Sequence, residues 1–155
     1  MTDTTRYSLA DSYPDGLKAM MAFNARSHSS GLDPLLAELI KIRASQLNSC
    51  AFCLDMHTKD ARALGETEQR IYALDAWRET PFFTPAERAT LAFTEAVTTL
   101  ERGEIPDAAF DELRRHFDEE TVGKILIAIV VINSWNRLMI AQRPPIGGYV
   151  SRYQS

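Results

Sequence analysis

Apolar residues recur along this chain at intervals of three and four, the spacing of one helix face. After Asp33-Pro34 the positions Leu35, Leu36, Leu39, Ile40 and Leu47 keep that period. Asp33 carries the short carboxylate of an N-cap and Pro34 suits the first helical position, so a helix is predicted to begin there. Asn48 and Ser49 interrupt the pattern and could cap the next helix, which runs from Cys50 to Leu64 and stops at Gly65. A third helix fits Glu68 to Trp77. Thr84-Pro85-Ala86-Glu87 has the form of a capping box, and the helix it opens carries Leu91, Ala92, Val97 and Leu100 and ends near Gly103. Pro106 to Phe117 reads as another helix.

Asp118 is the expected cap of a long last helix that passes through Ile125–Ile132 to Ala141. Its middle is apolar nearly all round, which predicts burial on several sides, in the core or at a subunit interface. Arg143-Pro144-Pro145-Ile146-Gly147-Gly148 cannot continue it. No segment alternates apolar and polar residues as a half-buried strand would. The expected fold is all-α, a single domain over residues 1–155.

Composition narrows the class without naming a function. The 155 residues are 45% hydrophobic and 25% charged, as in a soluble globular protein able to build a core without disulfide staples. A net charge of −4 and the lack of any Lys/Arg run argue against nucleic-acid binding. Met1 to Arg6 lacks the pattern of a secretion signal, and the longest uninterrupted apolar run, Ile125 to Ile132, is short for a membrane span. The expected address is the cytoplasm, with no membrane partner.

The two cysteines change the picture, because they form one Cys-x-x-Cys, Cys50 to Cys53. In a reducing compartment that pattern points to redox chemistry or metal binding. On a helix, Cys53 falls at about −60° and His57 at about −20° from Cys50, so all three share a narrow stripe. The helix N-terminus and a nearby imidazolium both favour thiolate, the reactive form. The second thiol can then attack an oxidised first thiol and close a disulfide. Glu38, on the edge of the preceding helix's apolar stripe beside Ile42, could face His57, fix its tautomer and accept a proton.

The stretch Glu38 … Ser45-Gln46-Leu47-Asn48-Ser49-Cys50-Ala51-Phe52-Cys53-Leu54-Asp55-Met56-His57 resembles the alkylhydroperoxidase D-like (AhpD-like) family of the carboxymuconolactone decarboxylase superfamily. The family signature is Glu, eleven residues, Cys-x-x-Cys, three residues, His, and Glu38, Cys50, Cys53 and His57 match it throughout. Weaker likeness extends through Ala61–Gly65, Thr84–Arg88 and Ile132–Leu138, so that it covers roughly residues 30 to 145. The resemblance implies an all-helical fold assembled as homotrimers or homohexamers, with the Cys-x-x-Cys at a helix N-terminus and no cofactor. It implies a peroxidase in which Cys53 attacks hydrogen peroxide or an organic hydroperoxide and passes through a sulfenic acid. Cys50 then resolves it as a disulfide, and His57 relays a proton toward Glu38. A dithiol partner, thioredoxin-like or lipoyl, restores the thiols. The sequence departs from the well-studied peroxidases at Phe52, where they carry a second His.

Other readings stand beside this one. A redox sensor or disulfide-exchange protein needs the same thiols without efficient turnover. Zinc could be held by Cys50, Cys53, His57 and Glu38, although no distant second ligand pair accompanies them. Lactone decarboxylation would need neither thiol. The two cysteines could also be buried small residues. Arg43 projects onto an apolar helix face and is expected to snorkel or to be salt-bridged, at a subunit contact or within the chain. His28 and His116 read as surface or loop residues without a thiol or carboxylate partner. Trp77, Phe82 and Phe83 read as core or interface packing rather than a pocket cover.

Overall fold

Residues 5–153 are described in a computed structural model, and Met1 to Thr4, the start read against a secretion signal, lie outside them. The helices are α1 (Leu9–Ser12), α2 (Pro14–His28), α3 (Pro34–Leu47), α4 (Ala51–Ala63), α5 (Glu68–Ala73), α6 (Pro85–Thr99), α7 (Asp107–Arg114) and α8 (Glu119–Gln142). No β-strand occurs among the described residues.

Local chemistry sets most of the boundaries. Asp33 accepts the Leu36 N–H at 2.8 Å, Asp118 accepts that of Thr121 at 2.8 Å, and Thr84 with Glu87 closes a full capping box. Each satisfies amides that a helix start leaves unpaired. Between α3 and α4, Ser49 takes a left-handed φ of 56° and reverses the chain. Cys50, not Asn48 or Ser49, is the residue at the N-cap of α4. Asn48 instead donates its side-chain amide back to the Ala44 carbonyl at 3.0 Å.

Three expected boundaries change. The single helix Glu68–Trp77 is α5 followed by a 3-10 segment, Leu74–Glu79. Ile71, Leu74 and Trp77 are spaced by three and all buried. The winding is broken at Ala76, whose φ of −108° and ψ of 29° are not helical, and this kink lies between the buried Leu74 and Trp77. The helix expected to reach Gly103 stops at Thr99, because Leu100 turns left-handed at φ 45°. Pro106–Phe117 shrinks to α7. The sequence pattern gave no sign of α1 or α2. No residue of α2 is buried, so it lacks the continuous apolar stripe by which helices are recognised.

α3 is the central helix and buries two faces. Leu36 and Ile40 pack with Phe93 of α6, Leu113 of α7 and Ile125 and Ile129 of α8. Leu39 and Ile42 pack with Ala61, Leu74, Trp77, Phe83 and Leu91. Full burial of a Leu or Ile contributes about 1.5–3 kcal/mol, so these rows anchor α3 against both sides of the fold. Trp77, Phe82 and Phe83 belong to this core. Arg43 is salt-bridged within the chain: it donates to Glu95 at 2.8 Å, to Gln46 at 3.0 Å and to Asp75.

α8 is long and apolar enough to cross a membrane by length and composition, which the uninterrupted run alone understates. Here it packs against α2, α3, α4, α6 and α7. Its Asn133 and Asn136 point inward, toward the turn between α3 and α4.

Candidate functional site

The turn between α3 and α4 places both thiols beneath α8. Cys50 and Cys53 are 1% and 3% exposed, are recorded as free thiols, and lie with their sulfurs 2.7 Å apart. Ala44 and Ile132 complete the buried cluster, with Phe52, Trp135 and Met139 against it. Two helical turns of α3 face this cluster and carry Glu38, Lys41 and Ser45.

The expected partner of His57 is in place. Glu38 is 1% exposed, and its Oε2 lies 2.8 Å from His57 Nδ1, while Oε1 accepts from Lys41 Nζ at 2.7 Å. Burial alone would raise the Glu38 carboxyl, but the hydrogen bond and charge of His57, with those of Lys41, outweigh it and bring the pKa to about 2. Glu38 is therefore a carboxylate at neutral pH.

The thiols share their protons unequally. The hydrogen bond between the two sulfurs draws Cys50 down to about 7 against the effect of burial. The backbone amides of Cys53 and Phe52 and the Asn136 amide add to this. Cys53 is pushed up, first by that same hydrogen bond and then by burial. The pair thus loses its first proton readily and its second with difficulty. Alkylation of the reduced protein by iodoacetamide is expected to titrate with a midpoint near 7, below the ~8.5 of an ordinary thiol. Asn136→Leu should move that midpoint upward, and an unchanged midpoint would remove Asn136 from the thiol environment.

Asn136 belongs to a polar network that the sequence reading did not find. It donates to Ser45 Oγ at 2.9 Å and accepts from Asn48 at 2.9 Å. Asn48 also donates to Asn133 at 2.8 Å, which in turn donates to Thr98 at 3.0 Å. The network fixes α8 over the thiols. Lys41 and Asp60 also went unread, although each lies one helical turn from a residue that was singled out: Lys41 from Glu38, and Asp60 from His57. Asp60 is fully buried and accepts from Tyr149 and Ser151 in the segment after α8. Asp60→Ala should lower stability by about 2–3 kcal/mol, the worth of buried hydrogen bonds to a charged acceptor, as read by urea denaturation.

A cavity of about 550 Å³ opens onto Cys53, Glu38 and His57. Cys50 is not in its wall. His28, expected at the surface or in a loop, is an exposed residue at the end of α2, and it also lines this cavity. His116 also has a carboxylate partner, Glu112 at 3.2 Å, one turn earlier on the surface. Among the described residues, the ligand-type atoms that gather within 4.8 Å of one another are those of Glu38, His57 and Asp60, with neither thiol. Lys41 takes one Glu38 oxygen and Tyr149 with Ser151 take those of Asp60, so the group reads as a hydrogen-bonded network.

With the thiols, the carboxylate and the imidazole placed, similarity to other proteins becomes informative. Residues 14–96 match the carboxymuconolactone decarboxylase family. The chain belongs to that family. Within it the fold is AhpD-like: a protein of unknown function from Agrobacterium tumefaciens, described as a candidate antioxidant defence protein AhpD, superposes with a TM-score of 0.90 at 43% identity, over 94% of this chain and 100% of that one. The uncharacterized protein YdfG of Bacillus subtilis is 46% identical over 88% of this chain and 92% of its own length. The debrominase Bmp8, solved with 2,3,4-tribromopyrrole, shares the fold at a TM-score of 0.78 and 24% identity, over 89% of this chain and 74% of Bmp8.

Proposed function

We propose that this protein is a thiol-dependent peroxidase, with Cys53 as the attacking thiol, Cys50 as the resolving thiol and His57–Glu38 as the proton relay. One observation carries the reading: Cys53 opens to a cavity that also exposes His57 and Glu38, while Cys50 waits 2.7 Å behind it, outside the cavity wall. In the singly ionised pair the remaining proton passes to Cys50 across the hydrogen bond between the sulfurs, which leaves the accessible Cys53 as the thiolate. The Cys53 thiolate attacks the outer oxygen of the peroxide, the O–O bond breaks, and the leaving alkoxide takes a proton from His57 and departs as an alcohol. Cys53 is left as a sulfenic acid. The Cys50 thiol displaces its hydroxyl, water leaves, and a disulfide forms. Two thiols of an external dithiol protein then reduce the disulfide by exchange.

The test is a count of turnovers. With excess dithiothreitol and cumene hydroperoxide, the protein should consume many equivalents of peroxide per chain. A redox sensor, the second reading, would consume one equivalent and stop. Phe52 favours that reading, because a ring that can pass no proton stands in the cavity wall where related peroxidases carry a His. Both readings suit the cytoplasm, where thiols are kept reduced. A homotrimer or homohexamer has a candidate contact face on α8, where Ile127 and Val130 are 40% and 39% exposed.

A further inference from the structure

Part of the cavity wall is built by a segment that the thiol chemistry does not use. Beyond α8 the chain folds back along α4, and Asp60 holds it there. Tyr149 Oη donates to both Asp60 oxygens at 2.9 and 3.0 Å, Ser151 Oγ donates at 2.6 Å, and Arg152 Nε lies 3.7 Å away. Lys59 Nζ adds bonds to the carbonyls of Gly147 at 3.3 Å and Tyr149 at 3.1 Å. This strap delivers Arg152 and Tyr153 to the cavity wall, where both approach His28 Nε2, Arg152 at 3.4 Å and Tyr153 Oη at 3.0 Å.

Lys41 and Arg152 bring positive charge to this part of the wall, and the carboxylates of Glu38 and Asp60 oppose it. His28 is held below its usual pKa by burial and then by the charges of Lys41 and Arg152, which outrank the opposing Glu38 and Asp60. Arg152 and Tyr153 both approach His28 Nε2, which has one lone pair to offer the two of them, so an incoming anion would take up a donor that His28 leaves unsatisfied. Most of the remaining wall is apolar, with Leu32, Met56, Val131, Trp135 and Met139 prominent. At about 550 Å³ the chamber suits a ligand of many heavy atoms, far larger than hydrogen peroxide.

We propose that the cavity binds an apolar carboxylic acid, and that the peroxide substrate is a hydroperoxide of that class, with Arg152 as the residue that receives the carboxylate. The hydroperoxide part rests on the peroxidase reading; the carboxylate part does not. The planar guanidinium matches a carboxylate with two parallel donors. Tyr153 adds a third donor, and the apolar body displaces water from the walls of α3, α4 and α8.

The experiment measures binding without turnover. Decanoate and its neutral, size-matched analogue decanamide are titrated into the reduced full-length protein, with calorimetry and Trp135 emission as readouts. Decanoate is expected to bind at least about tenfold more tightly than decanamide, the worth of one charge-assisted hydrogen-bonded contact. Arg152→Gln should erase that preference by weakening decanoate far more than decanamide, and Arg152→Lys should restore part of it. Equal binding of the two ligands by the wild type, or a preference that survives Arg152→Gln, overturns the assignment. Failure of both ligands to bind also overturns it. None of these outcomes depends on peroxide consumption, so the peroxidase reading stands or falls separately.

Discussion

Cys53→Ser is expected to reduce peroxide consumption to the background rate of the reagents, while Cys50→Ser leaves a single stoichiometric burst. A serine hydroxyl stays protonated at neutral pH and cannot replace the thiolate as nucleophile. Only Cys53 meets the cavity, so its loss removes the reacting atom. Cys50 is needed later, to close the disulfide. Without it, and without added dithiol, oxidation should stop at a sulfenic acid on Cys53, trapped with dimedone and located by mass spectrometry. The opposite pattern, a burst kept by Cys53→Ser and lost by Cys50→Ser, would make Cys50 the nucleophile. That outcome would mean the lower pKa of Cys50, about 7, outweighs its lack of access.

Glu38→Gln should have the second largest effect, on rate and on acid stability together. Glutamine keeps the shape and an oxygen facing His57 but removes the charge that Nδ1 and Lys41 share. Proton relays of this kind are worth about 10²–10⁴-fold in rate. The stability effect has a definite sign. The Glu38 carboxyl is depressed from 4.5 to about 2 in the folded chain. A depressed carboxyl contributes stability that is complete above the unfolded value and is lost as pH falls through the folded one. The contribution is on the order of 3 kcal/mol, and it disappears between about pH 4.5 and 2. Urea denaturation should therefore find the variant less stable than wild type at pH 7, with the gap narrowing toward pH 2. A gap that is absent at pH 7, or constant with pH, would show that the buried pair adds no such stability.

The parts of this protein that were legible in its sequence are those decided by near neighbours. Asp33, Thr84 and Asp118 announce helix starts because an N-cap binds amides only two or three residues away. Cys50, Cys53 and His57 could be placed on one stripe because the helix period fixes their directions. Glu38 needed more. Periodicity put it at the edge of an apolar face, and the family spacing marked it as a site residue, but burial beside His57 depends on how α3 meets α4. The kink at Ala76 was hidden because the core's demand on Leu74 and Trp77, not local propensity, sets the backbone there. Asn136 lies in the Ile132–Leu138 stretch of family likeness, but nothing there joins it to the thiols, and His28 and Arg152 had no readable signal, since the partners of all three lie some 90 to 125 positions away in the chain. Asp60 was within reach, one turn past His57, but nothing in the sequence joins it to Tyr149 and Ser151.

The position of Cys50 before α4, rather than within it, bears on how the redox cycle can be observed. Its backbone is already extended, with φ −88° and ψ 93°, and its carbonyl still accepts the first helical bond from Leu54 at 3.0 Å. Joining the sulfurs turns side chains and leaves the helical ladder intact. The cycle should thus be nearly silent in the far ultraviolet, where circular dichroism counts helix, and a spectrum unchanged by oxidant would say nothing about whether the thiols had reacted. Trp135, packed against the thiol cluster, is the native chromophore placed to register it.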